Sequence, residues 1–452
     1  MICLVLLVGF AVLRYHDPPP VEELRIRTFD TFQLIDPRVK KIRPVTIVDI
    51  DEKSLADPRL GQWPWPRTRI ADMVNTLTRM GAVVIAFDVV FAESDRLNPD
   101  NAAENFRGLD EATREKLRAL PSNDRIFAEA IKNSRVVVGE SGVLEPRLDL
   151  DKNLPVTGFV TGGEDPDPHL WQFPGLLRNV KVLEEAAAGR GLFTIVPERD
   201  GLVRRVPMIM LAQGTRMPSL TFEILRVLIG SNTTIIIKTG KEGIESLILQ
   251  GLKLKMPTDS SARFWVHYAA NDPSIYVSAV DLLDGKVKPE MVARKIVLIG
   301  TSATGMNDIK TTPVSKAIPG VEIHAQVLET VFEGLNASGT SLSRPSQSEP
   351  FEFATALLAG LLVIAFAPNL GPATLFGVGA LFATALIGTS WFYYIEKRQL
   401  IDFTYPLLST TAIYLTLIFS SFVREQAQRK QIRGQFAQYM SPVLVEIGRA
   451  HV

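Results

Sequence analysis

The chain has 452 residues and a mass of 49.9 kDa, with 49 basic and 49 acidic residues. Equal numbers of opposite charges, without any long block of basic residues, argue against nucleic acid as a partner. The hydrophobic content of 46% is too high for a disordered chain, and the single cysteine, Cys3, excludes an intrachain disulfide. The five histidines are scattered without the spacing of a zinc site, so we expect no metal site.

The chain begins with an apolar stretch that is too short to cross a membrane. Residues 1–13 carry no charged side chain, but a helix over residues 2–13 reaches only about 18 Å, against about 30 Å for the hydrocarbon core. No basic residue precedes the stretch and no small-residue cleavage site follows it, which argues against a signal peptide. We therefore interpret residues 1–13 as a partial N-terminal transmembrane helix whose beginning is missing.

Residues 17–345 predict one α/β domain with a largely parallel sheet. Runs of β-branched and apolar residues are typical of strands buried on both faces, and they occur at 45–50, 83–87, 136–138 and 296–299. Apolar residues at helical spacing predict helices within 70–80, 220–229 and 327–332. Segments 193–196 and 202–211, separated by an Asp-Gly turn, predict an antiparallel hairpin.

Polar residues follow several of the predicted strands. In open parallel sheets, ligands bind in the crevice beyond the carboxyl ends of the strands. The candidates for lining such a ligand-binding pocket are Asp49, Asp51, Asp88, Thr301, Ser302 and Asp308. The alternative is that these side chains cap helices and bond to loop amides.

An aromatic loop precedes the first predicted helix of the α/β domain. Its residues Trp63, Trp65 and Arg67 either stack on a ligand or cover the helix that follows, and covering is favoured. We interpret His324, at the start of the third predicted helix, as a structural residue. The chain has no GxSxG, phosphate-loop or GxGxxG motif and no ordered Ser/His/Asp set, so we expect no catalytic residues here.

Residues 351–423 predict three transmembrane helices, at 351–367, 371–395 and 403–423. Apart from Glu352 near its edge, the first span carries no charge, and neither do the other two. Basic residues cluster directly after the last span, which assigns that side to the cytoplasm. Counting back through three crossings puts the α/β domain outside the cytoplasm.

Three blocks of the α/β domain resemble the second type of CHASE domain, an extracytoplasmic sensor of bacterial cyclases, histidine kinases and serine/threonine kinases. Residues 45–93 contain IVDIDEKSL, GQWPWPR and GAVVIAFDVVF. Residues 191–225 contain RDGLVRRVP and PSLTFEIL, and residues 295–334 contain KIVLIGTSATGMNDIKTTPV and PGVEIHAQVLETVFEG. The resemblance covers about residues 20–345, and three spans directly after it are the family's usual arrangement. It implies a sensor but no particular ligand.

Residues 424–446 predict a cytoplasmic signalling helix that leads to an effector domain. Ile432, Phe436 and Tyr439 fall on one helical face, as in a dimerising helix. The segment IRGQFAQYMSPVLVE resembles the segment that leads into class III adenylate cyclase catalytic domains, which implies Mg and ATP for a cyclase domain missing here and no cofactor for this chain. Residues 447–452 resemble a translated sequencing adapter, so we expect the chain to be truncated at both ends.

The leading hypothesis is that the protein is a homodimeric receptor embedded in the lipid of the bacterial inner (plasma) membrane. Its external domain responds to an unknown small-molecule or envelope signal and controls an adenylate cyclase that makes cyclic AMP from ATP. The alternative output is a histidine or serine/threonine kinase. A third hypothesis, a transport or envelope-binding module without an effector, is disfavoured by the basic segment after the last span.

Overall fold

The computed structural model of the chain describes residues 2–147, 157–230, 232–251, 254–306, 308–336 and 341–439. Two compact units are present: Gln33–Ser343, here called the α/β unit, and Met1–Phe32 with Arg344–Val452, here called the membrane unit. The last seven residues of the predicted signalling segment, 440–446, and the adapter-like residues 447–452 lie outside the described residues.

The described residues form the following strands and helices. The strands are β1 (Val45–Asp49), β2 (Val84–Phe87), β3 (Val136–Val143), β4 (Phe159–Gly162), β5 (Trp171–Phe173), β6 (Gly175–Leu177), β7 (Gly189–Leu192), β8 (Arg205–Pro207), β9 (Ile209–Ala212), β10 (Thr215–Pro218), β11 (Ile235–Gly240), β12 (Gly243–Leu249), β13 (Leu254–Pro257), β14 (Arg263–Trp265), β15 (Tyr276–Ser278), β16 (Ile296–Gly300), β17 (Ile309–Lys310) and β18 (Ile318–Pro319). The helices are α1 (Ile2–His16), α2 (Pro19–Ile35), α3 (Glu52–Leu55), α4 (Arg67–Arg79), α5 (Pro99–Asn105), α6 (Glu111–Arg118), α7 (Asn123–Lys132), α8 (Lys181–Ala186), α9 (Leu220–Ile229), α10 (Ala279–Leu283), α11 (Gly320–Asn336), α12 (Ser348–Phe366), α13 (Pro372–Lys397) and α14 (Thr404–Tyr439).

A largely parallel sheet forms the centre of the α/β unit, as the sequence predicts. Its strands run in the order β15, β1, β16, β2, β3, with β7 continuing the parallel pairing beside β3. Val48 of β1 is in register with Val277 of β15 on one side and Ile299 of β16 on the other. Only β6, which pairs with the second half of β3, runs antiparallel among the described strands of this sheet.

Helices cover both faces of this sheet. Side chains alternate between the two faces along each strand, and both sets are apolar, so each face needs a covering layer. Ile47 packs into a core shared with α9 and α11, whereas its neighbour Val48 packs into a core shared with α4, α7, α8 and α10. Both side chains are fully buried, and each such burial contributes about 1.5–3 kcal/mol relative to exposure. These two cores explain why the strands are continuous apolar runs.

The first predicted helix of the unit illustrates how spacing fixes a buried face. Ile70, Met73, Val74 and Leu77 of α4 are all 0% exposed, since positions three and four apart lie on one side of a helix. The helix ends where Gly81 adopts a φ of 85°, a left-handed conformation that glycine adopts without steric cost. The chain then enters β2 directly.

The predicted hairpin of residues 193–196 and 202–211 is wrong. Its turn does form, since Glu198 N–H donates to the Leu202 carbonyl at 2.8 Å and Gly201 has a φ of 83°. Beyond that bond the two arms separate: β8 pairs with β14, and residues 193–196 belong to no strand among the described residues. A turn signal identifies the turn, but it does not identify the partners of the flanking residues.

Smaller sheets that the sequence analysis did not predict complete the α/β unit. They are β4–β11–β12–β13, β5–β9–β10, β8–β14 and β17–β18.

The membrane unit contains three helices long and apolar enough to cross a membrane, as the sequence predicts. Their candidate spans are Ser348–Phe366, Ala373–Lys397 and Thr404–Ile432. Helices α1 and α2 meet at 78°, and taken together this pair passes the same length and composition test as one broken span. The proposed interpretation of residues 1–13 as a partial helix stays a prediction.

A buried ionic cluster ties the N-terminal helix to the first span of the membrane unit. The Glu352 carboxylate is 1% exposed and accepts hydrogen bonds from Arg14 at 3.0 Å and Arg344 at 2.8 Å. Its other oxygen accepts a hydrogen bond from the Asp402 N–H at 2.7 Å. Two guanidinium groups and a backbone donor therefore compensate the one charge within the first predicted span.

Candidate ligand-binding site

A cavity of about 360 Å³ lies in the α/β unit at the carboxyl ends of β1, β2 and β16. Open parallel sheets bind ligands at this edge, because the loops that follow the strands converge there. The residues that line the cavity are Ile50, Trp63, Asp88, Val89, Val90, Ser141, Phe193, Thr194, Ile195, Thr301, Met306, Asp308 and Lys310. Four of the nine predicted site residues, Trp63, Asp88, Thr301 and Asp308, are among them.

Asp88 is the buried carboxyl group of the cavity. It directly follows β2, where its N–H donates to the Ile299 carbonyl at 2.8 Å, and its side chain is 5% exposed. Among the described residues, none donates a hydrogen bond to the carboxyl group. Burial, reinforced by the nearby Asp308 charge, raises the pKa of Asp88 to about 8. Near pH 7 the carboxyl group therefore carries a proton.

His324 of α11 lies behind Asp88. Its Nδ1 is 2.8 Å from the Thr221 hydroxyl oxygen, and its Nε2 is 3.9 Å from Asp88 Oδ1. The side chain is 1% exposed, and burial lowers the pKa of the imidazole to about 4. Near neutral pH the two facing groups are thus a neutral acid and a neutral imidazole.

An ion pair occupies another part of the cavity wall. Lys310 Nζ lies 2.8 Å from Asp308 Oδ1, with the two side chains 26% and 35% exposed. The Asp308 carboxylate packs against Gly320, the first residue of α11, where an alanine Cβ would collide with it. The Asp308 carboxylate thus lies against both the Lys310 ammonium group and the first residue of α11.

The rest of the wall is apolar with a few hydroxyl groups. Trp63 and Phe193 supply aromatic surface, and Met306, 38% exposed, lies at the edge of the cavity. The Thr194 hydroxyl accepts a hydrogen bond from the Gly142 N–H at 2.8 Å, and the Thr301 hydroxyl donates to the Ile50 carbonyl at 3.0 Å. An apolar cavity with a few convergent polar groups is the usual form of a small-molecule site.

Asp49, Ser302 and Asp51 lie beside the cavity without lining it. Asp49 accepts hydrogen bonds from the N–H of Ser302 at 2.8 Å and from its hydroxyl at 2.5 Å. Burial raises the pKa of Asp49, and these two bonds oppose the shift. Asp51 is the N-cap of α3, where its carboxylate accepts a hydrogen bond from the Ser54 N–H at 2.8 Å. These residues perform the capping and loop-bonding roles of the alternative interpretation.

Trp65 and Arg67 also lie outside the cavity. The Trp65 ring is 1% exposed, and its Nε1 donates to the Gly61 carbonyl at 2.8 Å. Arg67 is buried, with its guanidinium carbon 4.6 Å from the centroid of the Phe91 ring and its Nε 3.6 Å from Asp124 Oδ1. Both side chains cover the start of α4, whereas Trp63 of the same loop reaches the cavity.

Several cavity residues were not predicted from the sequence. Lys310 lies two residues after Asp308 in the same sequence block, so charge pairing was a signal for it. Phe193 and Thr194 were assigned to a hairpin strand. His324 lies behind Asp88 without lining the cavity and was interpreted as structural. No cluster of metal-ligating side chains occurs in the part of the chain that the structure describes.

The chain thus combines a layered α/β unit, with a cavity at the carboxyl edge of its sheet, and helices long enough to cross a membrane. The family model of the CHASE2 domain matches residues 2–365, most of the chain, and the chain belongs to this family. CHASE2 domains are extracellular sensor domains, so the chain is the sensor of a multi-pass membrane receptor. No curated protein and no solved structure matches the chain.

Proposed function

We propose that the chain is the sensor and membrane part of a bacterial receptor that binds a small molecule in the cavity around Asp88 and controls an adenylate cyclase. In this proposal the α/β unit lies outside the inner membrane, and α14 carries the signal to the cytoplasm as part of a homodimer. The observation that carries the proposal is the cavity itself, with its buried Asp88 carboxyl group.

The cavity supports a sensing role because its wall is built from separate chain segments. Asp88 follows β2, Thr301 follows β16, and Thr194 follows β7. Met306, Asp308 and Lys310 come from the segment that leads into α11. A ligand that contacts all of these segments binds one of their relative arrangements best, and its differential affinity shifts the population toward that arrangement.

The length of α14 supports the proposed route into the cytoplasm. Thr404–Tyr439 is one continuous helix of 36 residues, about 54 Å long, whereas the hydrocarbon core is about 30 Å thick. The apolar part ends near Val423, and the following turns carry Arg424, Arg429 and Lys430. Basic residues flank the cytoplasmic side of membrane helices. Because α14 continues past these residues as one helix, a displacement of its membrane part also moves the cytoplasmic segment.

The cyclase output rests on the resemblance of residues 432–446 to the segment before class III cyclase domains. A class III cyclase site forms at a dimer interface, so small changes in the relative position of two α14 helices are enough to switch it. The coding sequence that follows codon 446 in the genome is a direct check. Paired metal-ligand aspartates there would support a cyclase as the output domain. A histidine box, or a Gly-rich loop with an HRD motif, would show that the output domain is a kinase.

A fusion protein tests the coupling through α14. The chain through residue 446 is joined to a class III cyclase catalytic domain, and one to seven alanines are inserted after Val423. Each inserted residue rotates the cytoplasmic segment by about 100°. We expect the rate of cyclic AMP formation to vary with a period of about 3.6 residues. A rate that is constant, or that only declines with insertion length, contradicts transmission through a continuous helix.

A further inference from the structure

Carboxyl groups outnumber cationic groups among the described residues that line the cavity. The described lining residues include two carboxyl groups, Asp88 and Asp308, and one ammonium group, Lys310. Lys310 lies against Asp308 at 2.8 Å and already compensates that carboxylate. The buried Asp88 therefore lacks a cation of its own among the described residues, and a buried carboxylate without a partner is strongly unfavourable.

His324 does not supply the missing charge. Its Nε2 is 3.9 Å from Asp88 Oδ1, beyond hydrogen-bond distance. Its other ring nitrogen is engaged with Thr221, and burial holds the pKa of the imidazole near 4. In the free protein, the charge on Asp88 is instead removed by a proton.

We propose that the cavity binds a small organic ammonium ion, a primary amine with an apolar body, whose charged nitrogen replaces the proton on Asp88. The apolar body lies against Trp63, Phe193 and Met306. This inference rests on the proposed function, since it names the ligand class of the same sensory cavity.

The cavity chemistry selects a cation over the other ligand charges. An ammonium group gains a charge-assisted hydrogen bond to a buried carboxylate. A carboxylate ligand would instead face the Asp308 carboxylate and the Asp88 carboxyl group, and the one lining cation among the described residues, Lys310, is already paired with Asp308. A neutral ligand of the same shape forms only a neutral hydrogen bond with the protonated Asp88, which is the weaker interaction.

Proton displacement gives the proposed complex a distinctive pH dependence. The ionisable groups that face Asp88 are His324 of α11, Asp308 before it, and Lys310 of β17. Burial raises the pKa of Asp88 to about 8 and lowers that of His324 to about 4. The amine binds the ionised form, so its apparent affinity rises about tenfold from pH 6 to pH 7, rises further to pH 8 and then levels off.

Three probes with one body and different charges test the proposal: 2-phenylethylamine, 2-phenylethanol and 3-phenylpropionate. Each is titrated calorimetrically into the 452-residue chain in lipid nanodiscs at pH 6, 7 and 8. The expected result is binding of the amine in preference to the alcohol and the acid, with the tenfold gain above pH 6. Titration in two buffers of different ionisation enthalpy should show release of close to one proton per amine at pH 7.

Matched variants locate the binding. D88N removes the carboxylate and should abolish both amine binding and proton release, whereas D72N, at an exposed position of α4, should change neither. M306W fills the edge of the cavity and should weaken binding at least tenfold. I309W, three residues further on and 47% exposed, does not line the cavity and is its control. An unchanged circular dichroism spectrum and one cooperative melting transition above the assay temperature establish that each variant is folded.

The outcomes separate this proposal from the proposed function. Binding of the acid or the alcohol in preference to the amine, lost in M306W, overturns the ammonium assignment and leaves the sensory cavity standing. Amine binding that does not depend on pH, or that survives D88N, also overturns the assignment. The absence of binding by all three probes at pH 8 overturns the assignment and removes support from the cavity.

Discussion

Replacing Asp88 by asparagine should change how the stability of the α/β unit depends on pH. Burial raises the pKa of Asp88 from 3.8 to about 8 and lowers that of His324 from 6.5 to about 4. Between pH 4 and 8 folded Asp88 keeps a proton that the unfolded chain loses, so its contribution to stability falls as the pH rises. His324 acts in the opposite sense between pH 4 and 6.5, because there the unfolded chain binds the extra proton.

The two effects oppose each other below pH 6.5, and only that of Asp88 remains above it. A difference of one bound proton changes the free energy of unfolding by about 1.4 kcal/mol per pH unit. From pH 6.5 to 8, Asp88 therefore costs the wild-type protein about 2 kcal/mol of unfolding free energy. D88N removes this loss and exposes the effect of His324, so the variant should lose stability as the pH falls below 6.5.

Urea unfolding of the chain in nanodiscs, followed by tryptophan fluorescence from pH 5 to 8.5, measures this effect. Four of the five tryptophans lie in the α/β unit. Subtracting the curve of D88N from that of the wild type removes the contribution of the groups that both proteins share. Wild-type and D88N curves that stay parallel above pH 6.5 would refute the assigned protonation state. H324Q is the reciprocal control, since its stability should decline continuously from about pH 4 to 8.

Three further substitutions test the packing of both units. G191A puts a Cβ within 2.7 Å of the α9 backbone and should lower the unfolding free energy by about 1–3 kcal/mol; G305A, in open space, is its control, and equal melting temperatures would contradict the packing. W65F removes one hydrogen bond and leaves a gap where the larger indole was buried, so it should cost at least about 1 kcal/mol while leaving the affinity for the amine probe unchanged; a weaker affinity would show that Trp65 contributes to the binding site. E352Q removes the buried carboxylate that Arg14 and Arg344 share, so that these guanidinium groups keep only the more exposed Asp17 and Glu349. The change should destabilise the membrane unit by about 3–5 kcal/mol, whereas E349Q, 53% exposed, should have little effect in the same thermal denaturation assay.

The main sheet was predictable from the sequence because its strands are buried on both faces. In runs such as 45–50 and 296–299, apolar residues occupy nearly every position because neither face of the strand is exposed. Their β-branched residues also favour an extended backbone. The hairpin failed for the opposite reason. The partner of β8 is β14, more than fifty residues later in the chain, and local composition carries no information about that pairing.

The site was predictable where it follows from strand direction. Asp88 and Thr301 lie at the carboxyl ends of neighbouring parallel strands, so their proximity follows from the sheet. His324 and Lys310 come from α11 and the segment before it, whose placement over the sheet depends on tertiary packing. The same limit explains why Trp63 and Trp65 of one loop have different roles, since only the folded loop shows which ring reaches the cavity.

Cyclic AMP formation by the fusion at residue 446, measured with and without 2-phenylethylamine at pH 8, tests the link between cavity and output most directly. The amine should change the rate in the wild type and in I309W but not in D88N or M306W. A response that persists in D88N and M306W, or no response in a wild-type fusion that demonstrably binds the amine, would contradict it.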